Sequence, residues 1–274
     1  MTKSQKSALR KGYADVSDGQ IHYHEREGTD PPIVFLHQTA SSAGSFDPLL
    51  RALDCKNRLI ALDTPGFGGS FDPDGEPMLG DYARWALDAL NVLGVERAHL
   101  FGHHTGASLA VEMARMEPSR GISIMLAGPV FMTDAERAEF EAGYRDAIAP
   151  ERSGAHLQTN WDYAAKYNPD CPVEILHGEV VSMLRAWRGR AQAYLAVARH
   201  DTAEAANGLD LPVLLLTSPD DFFHEMLGRA VDLFPDATAA TTAGGNFQAT
   251  ADPEGVAAAV EHFLTDQSGT ATGS

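Results

Sequence analysis

Short apolar runs alternate along the chain with longer segments whose apolar positions recur at helical spacing, an order that predicts an α/β domain on a largely parallel sheet. Ile33-Val34-Phe35-Leu36, Leu59-Ile60-Ala61-Leu62, His99-Leu100-Phe101, residues 122–126 and Val213-Leu214-Leu215-Leu216 read as five buried strands. Residues 13–27 predict an antiparallel hairpin at the sheet edge, with Ser17-Asp18-Gly19 as its turn. Residues 81–93 place Tyr82, Ala86, Ala89, Leu90 and Leu93 on one helical face. The last helix has the clearest start: Asp252 suits the N-cap, Pro253 the first helical position, and Val256, Val260, Phe263 and Leu264 follow at i, i+4, i+7 and i+8.

The alternation stops between residues 133 and 200. No strand-like run occurs there, and Trp161, Tyr163, Tyr167, Trp187 and Tyr194 punctuate charged helical segments. This predicts a helical cap at 133–200 inserted into a core of residues 1–132 and 201–265, with 266–274, all small or polar, as a flexible tail. Aromatic side chains bury well without a ligand, so most of these rings are expected in the cap's own interior.

Candidate chemistry concentrates at Gly102-His103-His104-Thr105-Gly106, which follows the apolar Ala98-His99-Leu100-Phe101 and opens a helix-like stretch at 107–116. The pattern is that of a G-x-S-x-G turn, in which two glycines permit the tight strand-to-helix bend that lifts the central side chain above the sheet. Here the central residue is His104. A hydroxyl needs a base to become nucleophilic, whereas a neutral imidazole carries its own lone pair and can serve as nucleophile or base.

Composition narrows the partners. With 274 residues and 44% hydrophobic content, the chain suits one large core. A formal net charge of −17, from 38 acidic against 21 basic residues, disfavours phosphate backbones and anionic lipid, so neither nucleic acid nor membrane is an expected partner. Cys55 and Cys171 lie far apart and outside any C-x-x-C spacing, which suggests neither a disulfide framework nor a thiolate metal site and fits a reducing cytoplasm. Residues 1–12 carry Lys3, Lys6, Arg10 and Lys11 but no apolar h-region, and no apolar stretch reaches membrane length. His22 and His24 share one face of an edge strand, a weak metal pair; without a third ligand, no metal is assigned. Gly66, Gly68 and Gly69 match no phosphate-loop spacing and read as a backbone turn.

Four landmarks follow one another in order: Leu36-His37-Gln38-Thr39, Asp63-Thr64-Pro65-Gly66-Phe67-Gly68-Gly69-Ser70, the turn at His104, and the strand before Asp220-Asp221. With them the chain resembles the cap-bearing branch of the α/β-hydrolase superfamily over residues 13–264. Together with Gly154-Ala155-His156-Leu157, it is similar to a bacterial hydrolase-like clade with His in place of the nucleophile Ser. The resemblance implies an α/β-hydrolase fold, a mostly parallel eight-stranded sheet flanked by helices with an inserted helical cap. It puts His104 at the nucleophile position, and the family's acid at Asp220 or Asp221; the G-x-x-D spacing, with Ser218 as its first residue, favours Asp221. Asn246 stands where the family has its catalytic His and can accept no proton at a useful pH. The backbone N–H groups of Thr39 and Thr105 map to the oxyanion hole, and Gln38 replaces the usual Gly. His103 is expected to pack and His37 to brace the loop it begins. Gln38, His156, Trp161, Trp187 and Phe222 are the expected substrate-binding set. The resemblance implies a cofactor-free enzyme that cleaves an ester, lactone or related acyl bond of a small apolar substrate, with a lyase or isomerase and a non-catalytic small-molecule binder as alternatives. A homodimer is compatible with all three.

Overall fold

The computed structural model describes residues 8–270, with side chains through residue 267. Its strands are β1 (Arg10–Val16), β2 (Gly19–Arg26), β3 (Thr29–Leu36), β4 (Asn57–Leu62), β5 (Ala98–His103), β6 (Gly121–Ala127), β7 (Val213–Thr217) and β8 (Thr238–Thr241). They form one sheet in the order β1-β2-β4-β3-β5-β6-β7-β8. The pairs β1/β2 and β2/β4 are antiparallel and the other pairs parallel. Each predicted apolar run forms the body of a strand, and the hairpin turns at Ser17 and Asp18. β8, with the sequence Thr-Ala-Ala-Thr, has no such run; it is a strand through its parallel register with β7, from Leu214↔Thr238 to Thr217↔Thr241.

Before β6 lie α1 (Asp47–Ala52), α2 (Leu79–Val92) and α3 (Thr105–Met116). Between β6 and β7 come α4 (Asp134–Tyr144), α5 (Ala155–Tyr167), α6 (Val173–Arg185), α7 (Trp187–Ala198) and α8 (Thr202–Ala206). After β7 come α9 (Leu227–Leu233), α10 (Gln248–Ala251) and α11 (Pro253–Thr270). Successive strand residues face opposite sides of a sheet, so each continuous apolar run feeds two cores. Ile33, Phe35, Leu59 and Ala61 pack with Leu49 and Leu50 of α1 and with Val256, Val260 and Phe263 of α11. Val34, Leu36, Ile60 and Leu62 pack on the other face with Tyr82, Ala86 and Leu90 of α2 and Leu109 of α3. Helices therefore cover both faces. Among the described residues, no helix is long and apolar enough to cross a membrane.

Two expectations change here. The final helix continues to Thr270, so residues 266–270 are helical rather than tail; an established helix adds one hydrogen bond per residue fixed, and no proline interrupts it. Residues 1–7 and 271–274 lie outside the described residues. Second, β2 is not the sheet edge, and each of its histidines meets a carboxylate: His22 Nδ1 lies 2.7 Å from Asp63 Oδ2 and His24 Nδ1 2.5 Å from Asp47 Oδ1. Asp63 also accepts from the Ala43 and Gly69 amides at 2.6 and 2.7 Å. Gly68, with φ +49°, has its hydrogen where a Cβ would sit 1.9 Å from Asp63 Oδ2, so the Pro-Gly loop is a backbone turn wrapped on that carboxylate.

Candidate active site

β5 ends and α3 begins at a bend only two glycines would allow. A Cβ on Gly102 would lie 2.1 Å from the Gly106 carbonyl oxygen, and one on Gly106 2.0 Å from that of Leu36. Between them His104 has φ 48° and ψ −110°, the sole non-glycine positive φ among the described residues. Such a conformation costs on the order of 1–3 kcal/mol and persists where the surroundings enforce it. The enforcement is visible: the His104 amide donates to Ala127 of β6 at 2.9 Å, and its carbonyl accepts from Ala107 at 2.8 Å. The side chain is thereby carried above the ends of the central strands.

The imidazole reaches the acid directly. His104 Nε2 lies 2.8 Å from Asp221 Oδ2, and both residues are buried. Gln248 Nε2 donates to the same oxygen at 3.2 Å, and the Phe223 amide to Oδ1 at 2.8 Å. Burial alone pushes the Asp221 carboxyl up, but the charge and hydrogen bond of His104, with smaller help from His103 and the Phe223 amide, outweigh it and hold the acid below its usual range. An ionised carboxylate only accepts, so Nε2 carries a proton, and in the neutral form of the ring the lone pair lies on Nδ1. Gly128, with φ +55°, makes room: a Cβ there would lie 2.3 Å from His104 Cδ2 and 2.9 Å from Asp221 Oδ2. Phe223 packs edge-on to the imidazole at 5.0 Å.

Asn246 is near but differently occupied. Its Oδ1 accepts from the Phe222 amide at 2.8 Å, and its Nδ2 donates to Asn168 Oδ1 at 3.1 Å and the Tyr167 carbonyl at 3.3 Å. It links the loop after β7 to the end of α5, and the two nitrogen donors on Asp221 Oδ2 come from His104 and Gln248 instead. His103, also buried, has no hydrogen-bond partner for Nε2; burial first, then the adjacent His104, holds its imidazole well below the usual range and hence neutral. His103, His104 and Asp221 bring potential metal-ligand atoms within 4.8 Å of one another, but a cation would have to displace the hydrogen bond between His104 and Asp221.

The loop after β3 faces this pair. His37 Nδ1 donates to the Gln38 carbonyl at 2.8 Å and its Nε2 accepts from the Thr64 amide at 3.0 Å, while burial keeps the ring neutral against the charge of Asp63. The Thr39 carbonyl accepts from Tyr194 of α7 at 3.2 Å. Thr105 opens α3, where the first N–H groups have no intrahelical acceptor. Gln38, Thr39, His104, Thr105, Asn246 and Phe222 all line one cavity, together with the rings of Phe140, Tyr144, Tyr163 and Tyr194. Trp187 lines an outer hollow continuous with it, alongside Arg190, whose guanidinium stacks 4.4 Å from the Tyr163 ring. His156 and Trp161 depart from the expected substrate-binding set, lining neither space. His156 Nδ1 accepts from the Glu151 amide at 3.2 Å across the start of α5, and Trp161 packs against the main core.

Three participants escape sequence reasoning. Gln248 and Gly128 are recognisable only once folding brings them to Asp221 and His104. Glu179 of α6 lines the cavity with 5% exposure; its one sequence signal is a carboxylate among the apolar positions of an amphipathic helix.

Comparison with known sequences decides the family. Residues 33–259 match the profile described as "Alpha/beta hydrolase family". The chain belongs to that family. A 3-oxoadipate enol-lactonase of Acinetobacter baylyi is similar to this chain, 26% identical over 196 residues, which is 70% of this chain and 71% of that protein. The dihydrolipoyllysine-residue acetyltransferase component of the acetoin cleaving system from Cupriavidus necator is 28% identical over 139 residues, 49% of this chain and only 36% of that longer protein. The crystal structure of an E-2-(acetamidomethylene)succinate hydrolase superposes with a TM-score of 0.76 at 21% identity, covering 94% of this chain and 100% of the other, a likeness of fold. The α/β-hydrolase fold thus accounts for the sheet, for the bend at His104 and for an acid after β7.

Proposed function

We propose that this chain is a cofactor-independent enzyme that hydrolyses an ester, lactone or related acyl bond of a small, largely apolar molecule, with His104 as the base and residues 133–200 as a cap over the site. The observation that carries this reading is the 2.8 Å contact between His104 Nε2 and Asp221 Oδ2 on a bend lining an aromatic cavity. Asp221 fixes the tautomer and stabilises the imidazolium that forms, the task an acid performs in a Ser-His-Asp triad. Nδ1 takes a proton from water, and the water oxygen attacks the acyl carbon. The amides of Thr39 and Thr105, both lining the cavity, would hold the resulting oxyanion. Nδ1 adjoins the ring carbon that bears the side chain, so direct acylation there would press the acyl group against the strained backbone, whereas a water molecule needs far less room. Base catalysis is favoured on that ground. The relative named as an enol-lactonase supports the bond class, and the ring-lined cavity supports an apolar substrate.

Acyl esters and lactones of increasing size, assayed with a chelator present throughout, test the reading. Wild type should turn over part of the panel, and His104→Ala should lower kcat by about 10²–10⁴-fold, the usual weight of a general base. Intact mass should show no acyl adduct; an adduct on His104 would make it the nucleophile. Turnover indifferent to His104→Ala would remove His104 from the chemistry altogether.

A further inference from the structure

Among the described residues Glu179 is the one carboxyl lining the cavity, and the reaction above leaves it unused. α6 buries it, and the apolar Val130, Met183 and Val197 line the same cavity. Its Oε1 accepts from Ser41 Oγ at 3.1 Å, and among the described residues it makes no ion pair. A carboxylate sealed from water without a cation is strongly disfavoured. Burial accordingly pushes this carboxyl up to about 7, against the weaker opposing pull of the Ser41 hydrogen bond. Packing does not require an acid here, since a glutamine would fill the same volume and accept the same bond from Ser41. The sequence spends an ionisable group where an amide would satisfy the structure.

We propose that Glu179 is the general acid of the hydrolysis, giving its proton to the leaving-group oxygen of an alkyl ester or lactone while His104 takes a proton from the attacking water. The inference rests on the reading of His104 as base. In a Ser-His-Asp triad one imidazole stands between nucleophile and leaving group and serves both. Unlike the triad imidazole, whose far nitrogen is free, His104 gives its far nitrogen Nε2 to Asp221. It keeps only Nδ1, beside the ring carbon that bears the side chain and close to the strained bend, which confines it to the water. A second group must protonate the departing oxygen, and Glu179 enters the cavity from the opposite layer, the helices between β6 and β7. The step balances. The water oxygen bonds to the acyl carbon as its proton moves to Nδ1. The acyl carbon–oxygen bond breaks with its electron pair on the alkoxide oxygen, which takes the Glu179 proton. The imidazolium then returns a proton to the carboxylate through water. Alkyl alkoxides are too basic to leave unprotonated, and they define the substrate class that needs this acid.

The ionisable groups facing Glu179 from surrounding elements are Tyr144 of α4, Tyr163 and Tyr167 of α5, Tyr194 of α7, His104 at the bend, and the Cys171 thiol, which burial first and then the charge of Glu179 push up. The test is leaving-group dependence. A series of acetate esters from 4-nitrophenyl to ethyl, with a δ-lactone, is hydrolysed at pH 6 by wild type and Glu179→Gln. The variant should keep the 4-nitrophenyl rate within about threefold and lose about 10²-fold or more on the ethyl ester, the weight of a general acid. Equal losses across the series, or none, would overturn the proposal. Should Glu179→Gln fail to fold by thermal melt, wild type alone decides. Its ethyl-to-nitrophenyl rate ratio should fall as pH rises from 6 to 8, and a constant ratio would overturn the assignment. Absence of wild-type hydrolysis anywhere in the series overturns the hydrolytic reading and this inference together, whereas intact wild-type rates with uniform losses sink Glu179 alone.

Discussion

An imidazole at position 104 spans a gap that a serine hydroxyl would leave to a separate histidine. His104 reaches Asp221 unaided, and the family's histidine position is then free to be Asn246, engaged with Phe222, Tyr167 and Asn168. Restoring a histidine there should therefore not rebuild a triad. Asn246→His should leave kcat/KM no higher than wild type and reduce stability by about 1–3 kcal/mol, because a buried amide and two acceptors lose their partner. Ester assays and urea titration check both parts, and a large gain of activity would show that an ordinary base had been missing. Gly128→Ala is the steric counterpart. Its Cβ would collide with His104 Cδ2 from a left-handed backbone, so it should lower kcat and cost at least about 1 kcal/mol of stability, read from the same two measurements. At this scale, His104 and Asp221 were legible because motif spacing names them. Gln248 and Gly128 were not, since an amide and a glycine acquire meaning only from the neighbour that folding supplies.

Elements were legible where one local signal sufficed. Asp252 performs as its position suggests: Oδ1 accepts from the Gly255 amide at 3.1 Å, and Oδ2 accepts from Ala243 at 2.8 Å, tying the start of α11 to the loop after β8. Asp252→Ala should cost about 1–2 kcal/mol, the cost of losing a good N-cap, with an unchanged denaturant slope because the buried surface stays the same. A slope that drops markedly would instead mean that α11 detaches before the rest unfolds. β8 and the end of α11 escaped for opposite reasons. β8 has weak local preference and a strong partner in β7, whereas residues 266–270 look like tail by composition yet extend a helix already begun. In the segment between β6 and β7, aromatic content was visible in sequence, but which rings face the cavity was not. Trp161 and Tyr163 are two positions apart on α5, and only the second lines the cavity.

Across the whole molecule, the helices between β6 and β7 line the cavity and bury an acid that solvent would otherwise keep ionised, so folding and proton binding are linked. Glu179 titrates near its usual 4.5 in the unfolded chain but at about 7 when folded. Between those values this group holds more protons in the native than in the unfolded state, so its own contribution falls as pH rises through that window, while the buried imidazoles of His37, His99, His103 and His200, held below their usual range, act in the opposite sense there. The Glu179 contribution is fully present below about 4.5 and lost above about 7. Asp221, Asp63 and Glu112 act in the reverse sense. Their carboxyls are held below the usual range, so their stabilisation is present at neutral pH and lost only in acid, outside the Glu179 window. Glu179→Gln cannot ionise, and it isolates the effect. Against wild type it should be of similar stability at pH 4.5 and more stable by roughly 1–3 kcal/mol at pH 8, as a shift of this size implies. Urea unfolding at both pH values measures the difference. A gap that stays constant with pH would mean that Glu179 is solvated or paired in the folded protein, and that the cavity is wetter at the α6 side than its lining suggests.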